Sequence, residues 1–383
     1  MKRKCSGLVI PAVLAAAASL LQARPPVQAA ERFFDSAEAP RDAARLTIFY
    51  PSVGTLKALV ALRDRGFLPG RGLEIVGVHH AKERTDYGES EKYVRDNKID
   101  WVHFHTITAD LTPETIFGRN PASAELERIF KLSSGVVLFG GPDLVPALYG
   151  EKTSLLTFVE DPWRHYLELT AVFHLLGGFQ DPAFHAYLEK RPGFPVLGIC
   201  LGMQTLNAGT GGTLVQDIWM DTYGIHFAED AVALGQPGWH TNPFRRLAPQ
   251  DKELLPYMLH PIRFSEGSKF VAEWDFRPED EPFVMSAHHQ AAGRIGKGFK
   301  IAATSLDGKV VEAIEHENYR RVLGVQFHPE FPMLWDSAPK YKISPRDKEL
   351  FGCRTYLEAR PPSEKFHEKI WRWFFGLLQP RNQ

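Results

Sequence analysis

Hydrophobic and polar positions along this chain fall into alternating blocks: short, β-branched apolar runs, each followed by a stretch with helical spacing. Arg45-Leu-Thr-Ile-Phe-Tyr-Pro51 reads as a first strand, and Thr55 to Arg65 as a helix ended by Gly66. Leu73 to His80 and Ile99 to Thr106 read as further strands, with a polar helical stretch at Ser90 to Asn97 between them. Gly135 to Phe139 is a strand entering a Gly-Gly-Pro loop, and Asp161 to Leu176 a helix. Phe194 to Ile199 runs apolar into Cys200, and Leu201 to Asn207 continues at helical spacing. Val322 to Phe327 is one more core strand, and the aromatic run Trp371 to Phe375 reads as a helix docking on the core. Such alternation predicts an α/β fold, a parallel sheet with helices on both faces. The ligand site of such a sheet lies beyond the carboxyl ends of its strands. Gly140-Gly141, Cys200 and His328 each follow an apolar strand directly, so all three are expected to meet at that edge.

The chemistry expected there starts from Cys200. Gly198 and Gly202 flank it at two residues on either side, giving Gly-x-Cys-x-Gly, a tight strand-to-helix turn in which flanking side chains would clash. A cysteine in that turn projects outward, and the first amides of the following helix favour its thiolate, the reactive form. A base is then expected far away in sequence and close in space. His328 ends the Val322 to Phe327 run, and Glu330 stands two residues on, so an extended backbone puts both side chains on one face. Pro329 between them stiffens the tip. A carboxylate beside an imidazole fixes its tautomer and stabilises the imidazolium formed when it accepts a proton. Cys200, His328 and Glu330 are therefore the candidate catalytic residues.

With these residues named, the sequence resembles class I glutamine amidotransferase-like domains. The resemblance is carried by GICLGMQ around Cys200, GVQFHPE around His328 and the Gly-Gly-Pro of Val137 to Asp143. Further segments resemble the γ-glutamyl hydrolase and γ-glutamyl-GABA hydrolase branch: Gly140 to Gly150, Asp161 to Leu169, Gly211 to Ile218, His260 to Phe270 and Ser286 to Ala291. Together they span Ser133 to Pro332, whereas residues 31 to 132 match poorly and 333 to 383 form an extension. The resemblance implies a flavodoxin-like sheet and a thiol hydrolase that cleaves γ-glutamyl amides through a glutamyl thioester, with no cofactor. It implies an oxyanion hole from the amides of Gly141 and Leu201. Gln204, one helical turn after Cys200 on the same face, becomes a ligand to the glutamyl amino-acid end, and His288 and Gln290 line the glutamyl pocket. Leu201 departs from the GABA hydrolases, which commonly carry Arg directly after the nucleophile. The leaving amine is therefore not fixed by the sequence. Two alternatives stand beside the hydrolase: a glutamine amidotransferase passing ammonia to a synthase partner, and a non-catalytic binding protein of the same fold.

No metal site is expected. His288 and His289 are adjacent, and adjacent strand residues point to opposite faces. His103 and His105 share a face, but no carboxylate or cysteine cluster is expected to join them.

Composition adds limits. The 45 Lys and Arg nearly balance 46 Asp and Glu, with no basic excess to suggest nucleic acid. Lys2, Arg3 and Lys4 precede an apolar stretch from Leu8 to Leu21, and Val27-Gln28-Ala29 supplies small residues for cleavage. Residues 1–29 thus read as a signal peptide, since about 14 apolar residues fall short of the roughly 20 that cross a bilayer. The expected mature chain starts near Ala30, is periplasmic or secreted, keeps no membrane anchor, and forms a single α/β hydrolytic domain over residues 30–383. Of three cysteines, only Cys200 and Cys353 remain in it, and no structural disulfide is expected because one would consume the nucleophile. A homo-oligomer is left open, and the expected partner is a small γ-glutamyl substrate.

Overall fold

Among the described residues the apolar runs pair into one sheet of 12 strands. In chain order these are β1 (Ala44–Phe49), β2 (Leu73–His80), β3 (Val102–Ile107), β4 (Gly135–Leu138), β5 (Val196–Ile199), β6 (Leu214–Val215), β7 (Met258–Phe264), β8 (Phe283–Ser286), β9 (Ala291–Ala292), β10 (Phe299–Ser305), β11 (Val311–His316) and β12 (Val322–Val325). They lie in the order β3-β2-β1-β4-β5-β12-β11-β10-β7-β8, with the short β6 and β9 paired to each other and β9 also to β11. The computed structural model describes residues 31–38 and 43–378. The segment read as a signal peptide, and Cys5 within it, lie outside the described residues.

From β3 to β12 every neighbouring pair is parallel. Strands β1, β4, β5 and β12 are buried at every position, as strands covered on both faces must be. One face packs against Leu56, Leu59 and Leu62 of the helix Val53–Asp64 and against Phe366, Ile370 and Trp371 of the C-terminal helix Ser363–Gly376. The other packs against the helices Ser123–Leu132, Pro162–Leu176 and Leu201–Gly209 through Ile129, Val172 and Met203, among others. Fully burying a side chain of this size contributes roughly 1.5–3 kcal/mol. Beyond β12 the sheet turns antiparallel, through β11, β10, β7 and β8. The sequence reading had no place for this half. Its cause is local: β10 and β11 are joined by a short loop closed by Ser305 N to Val310 O at 2.8 Å, with Gly308 at φ 75°. A connection that short can only return the chain antiparallel.

Several boundaries move for identifiable reasons. The helix Val53–Asp64 begins before Thr55 because the Ser52 hydroxyl accepts from Thr55 N at 3.2 Å. Tyr87–Asp96 begins before Ser90 because Asp86 accepts from Gly88 N at 3.0 Å. β12 ends at Val325 rather than Phe327, and His328 N then donates to Met285 O at 2.8 Å, so the chain turns toward β8.

The segment after Pro332 is part of the core. Trp371 is fully buried with Phe374, and its indole N–H donates to Pro329 O at 3.0 Å. The C-terminal helix therefore supports the His-Pro-Glu loop directly. Among the described residues, no helix is long and apolar enough to cross a membrane.

Candidate active site

Cys200 stands between β5 and the helix Leu201–Gly209, which buries all nine of its residues. Its backbone sits at φ 52° and ψ −109°. For a residue with a side chain that conformation costs on the order of 1–3 kcal/mol and persists only where the surroundings enforce it. The enforcement is visible. Cys200 N donates to Val325 O at 2.8 Å on one side, and Gln204 N donates back to Cys200 O at 3.1 Å on the other. A Cβ on Gly198 would stand 2.6 Å from Gly202 O, and one on Gly202 would strike Leu138 O of the neighbouring strand. Both glycines are required for the turn, as their spacing predicted.

β4, β5 and β12 are adjacent in the sheet, so the residues that leave their ends converge. A Cβ on Gly140 would lie 2.8 Å from His328 Cε1 and 3.3 Å from Cys200 Cβ, so the glycine loop presses against both side chains. The charge of Cys200 acts directly on the His328 ring. Its Nδ1 meets Glu330 Oε1 at 2.7 Å, and Phe331 stacks on it at 4.2 Å. Burial works against a charged imidazole here, but the charges of Glu330 and Cys200 outweigh it and push the His328 pKa up to about 10. His328 therefore holds its proton throughout the neutral range. Cys353 is also a free, buried thiol, but burial pushes its pKa up to about 12 and keeps it protonated.

The Leu201 amide is the first of its helix, with no partner inside the helix, and lies directly after Cys200. Gly141 is held against Arg164, whose guanidinium a Cβ at that position would strike. Gln204 is buried, and its amide donates to Gln326 Oε1 at 3.3 Å, while Gln326 Nε2 lies 3.7 Å from Cys200 Sγ. Gln204 thus reaches the thiol through Gln326. Gln290 is buried with both amide atoms unpartnered. His288 turns inward, its Nδ1 on Gln290 O at 2.9 Å and its Nε2 3.6 Å from Glu312. His289 turns the other way, as adjacent strand-like positions should. His105 uses both ring nitrogens, on Glu125 at 2.9 Å and Phe34 N at 3.2 Å, and His103 stacks on Phe33.

Two supports escaped the sequence reading. Arg164 is buried, donates to Phe139 O at 2.8 Å and Gly140 O at 3.1 Å, pairs with Glu168 at 2.7 Å and lies over the Tyr50 ring. It fixes the glycine loop from below. The available signal was an Arg and a Glu four apart in a helix whose other residues are mostly apolar. Gln326 is the second; nothing in an apolar run marks one polar residue as facing a thiol.

His289 bridges Asp143, just past the Gly-Gly-Pro loop, at 3.0 Å and Asp217 at 3.2 Å. Burial disfavours its charge, but the two carboxylates prevail and raise its pKa to about 9. A folded-state pKa above the usual value means stabilisation that is complete below pH 6.5 and lost as pH rises through about 9. Thermal melts should therefore show His289→Gln less stable than the parent at pH 6, with the difference shrinking by pH 10. A difference that is constant across that range would exclude the charged bridge.

A thiol close to an imidazole that is itself paired with a carboxylate can attack a carbonyl and hand a proton to the departing group. Comparison with known proteins fits that chemistry. The Peptidase C26 family model matches residues 74–330. The chain belongs to the Peptidase C26 family. It is a class I glutamine amidotransferase-like, cysteine-type hydrolase fold, and the match reaches back to residue 74, well ahead of the Ser133 limit legible in the motifs. The chain is similar to the glutamine amidotransferase-like protein YvdE of Lactococcus lactis, 30% identical over 236 residues, which cover 61% of this chain and 82% of that one. It is also similar to the γ-glutamyl-γ-aminobutyrate hydrolase PuuD of Escherichia coli, 29% identical over 221 residues, covering 57% of this chain and 70% of that one. Every residue of the Cys200, His328 and Glu330 cluster falls inside the C26 match.

Proposed function

We propose that this protein hydrolyses γ-glutamyl amide bonds with Cys200 as nucleophile. The observation that carries the reading is the strained Cys200 turn joined to a His328–Glu330 pair at the ends of adjacent strands. Cys200 Sγ attacks the γ-carbonyl, forming a C–S bond, while the amides of Gly141 and Leu201 receive the oxyanion. Such a donor is worth around 3 kcal/mol in the transition state. His328 passes its proton to the leaving amine as the C–N bond breaks, leaving a glutamyl thioester. Water, deprotonated by His328, then attacks the thioester, and glutamate and the thiol are released. The unpartnered amide of buried Gln290 is suited to the polar amino-acid end of the glutamyl group. The basic and then apolar residues 2–21 support export of the chain to the periplasm or medium, which separates it from ATP-driven synthases.

The test is a substrate comparison with the purified chain. Release of γ-aminobutyrate and of other amines from γ-glutamyl amides is measured beside release of ammonia from glutamine. The expected result is a higher kcat/KM for γ-glutamyl amides. Ammonia from glutamine as the main product would favour an amidotransferase, and no product from either would leave a binding protein.

A further inference from the structure

A second cluster of functional side chains lies in the antiparallel half of the sheet. His240 comes from the loop before the short helix Phe244–Leu247, His260 from β7, His288 from just after β8, and Glu312 from β11. All four side chains are at most 2% exposed. One donor atom from each lies within 4.8 Å of all the others. The contacts are too close for indifference and poor as hydrogen bonds. His240 Nδ1 stands 3.0 Å from Glu312 Oε1, His260 Nε2 3.7 Å from the same oxygen, and His288 Nε2 3.6 Å from Oε2. Yet both ring nitrogens of His240, the Nε2 atoms of His260 and His288, and both oxygens of Glu312 lack a hydrogen-bond partner. Each buried polar atom left unpaired gives up its hydration with nothing in return.

The outer contacts of two of these histidines say what the inner atoms are for. His260 Nδ1 meets Pro261 O at 3.2 Å and His288 Nδ1 meets Gln290 O at 2.9 Å. A carbonyl oxygen only accepts, so each Nδ1 is the N–H and donates. In the neutral ring, Nε2 is then a bare lone pair, and both lone pairs face a carboxylate. Lone pairs crowded in this way repel unless a cation sits among them. A backbone carbonyl that fixes the remote N–H is also the usual way to orient a metal-binding imidazole. Three nitrogens and a carboxylate oxygen make a closed four-donor set, suited to a divalent metal with tetrahedral preference. With bonds of about 2.0–2.1 Å, tetrahedral zinc needs donors roughly 3.3 Å apart, and the three contacts bracket that spacing.

We propose that His240, His260, His288 and Glu312 form a structural zinc site. The ion would fasten the His240 loop to three antiparallel strands. It would also stiffen the wall behind Cys200: Gln326 N donates to Glu312 O at 2.8 Å, and the Gln326 amide touches the thiol. His328 N is held by Met285, three residues before His288. Four protein ligands leave no position for substrate, so the role is positional. The four ligands are spread over more than seventy residues in no recognisable spacing, so sequence alone pointed to no metal.

The test uses the full chain purified without chelator or metal-affinity tag. Elemental analysis should find about one zinc per chain, and a crystal should give an anomalous peak at the zinc edge among these four residues. Removing the metal with dipicolinate should lower Tm, and added zinc should restore it. His240→Gln, on a loop, should stay folded by circular dichroism and lose tenfold or more in zinc affinity. The proposal is overturned by protein that carries no transition metal and shows no Tm rise with added zinc. It is equally overturned by a zinc affinity that is unchanged in His240→Gln, or by full occupancy with a different metal. None of these readouts depends on the hydrolase reading.

Discussion

Cys200→Ala should fold normally and lose γ-glutamyl hydrolysis, by a factor on the order of 10⁴–10⁶ if it resembles other covalent catalysts. The substitution removes the only atom that forms the thioester, and what remains is binding and the oxyanion amides. Alanine fits the volume, although the backbone at φ 52° stays strained. Cys353→Ala is the matched control. That thiol is buried in the core beside Leu357, and its pKa of about 12 keeps it a thiol. Its loss leaves a small void costing on the order of 1 kcal/mol, so Tm should fall slightly while activity per folded molecule stays unchanged. Equal activity loss in the two variants, at equal folded fraction, would mean that the reactive thiol has been misassigned.

His328→Ala should come close to that loss, and Glu330→Gln should fall well short of it. The histidine carries the proton in both half-reactions, and a general acid–base group contributes on the order of 10² to 10⁴ in rate. Glu330 acts on the reaction through His328, by the 2.7 Å contact to Nδ1. Its charge is the larger of the two that hold the imidazole's pKa at about 10 against burial. The alkaline limb of the kcat/KM profile should therefore lie near pH 10 in the parent protein and move down in Glu330→Gln. Activity falls as pH rises through that limb, because the imidazolium that protonates the leaving amine is lost. Both the limb and the rate are needed. A limb that stays in place in Glu330→Gln would remove the carboxylate from the proton-holding role, and full activity in His328→Ala would end the triad reading.

How much of this was legible depends on whether the signal is local. The Cys200 turn is local, because two glycines within two residues of the thiol are a steric requirement of the turn itself. The His328–Glu330 pair is local for the same reason, although it forms in a turn rather than in the extended strand expected. The parallel strands could be read because burial on both faces leaves uninterrupted apolar runs. Strands β7, β8, β10 and β11 were not assigned as strands. β10 mixes exposed and buried positions, and β7 contains a proline and a histidine.

The sequence by itself determined the α/β class, through the periodicity of its apolar runs, and its motifs carried the resemblance to the family that the family model then showed. It also named Cys200, His328 and Glu330 as the candidate nucleophile and base pair, because the sterics of the turn and the His-x-Glu spacing are local. Only the tertiary structure decided that Arg164 braces the glycine loop and that Gln326 stands between Gln204 and the thiol. It alone brought the C-terminal helix under Pro329 and gathered His240, His260 and His288 around Glu312. These partners come from segments tens to hundreds of residues apart. What unites them is the strand order, which depends on the packing of the whole sheet and on no short stretch of chain.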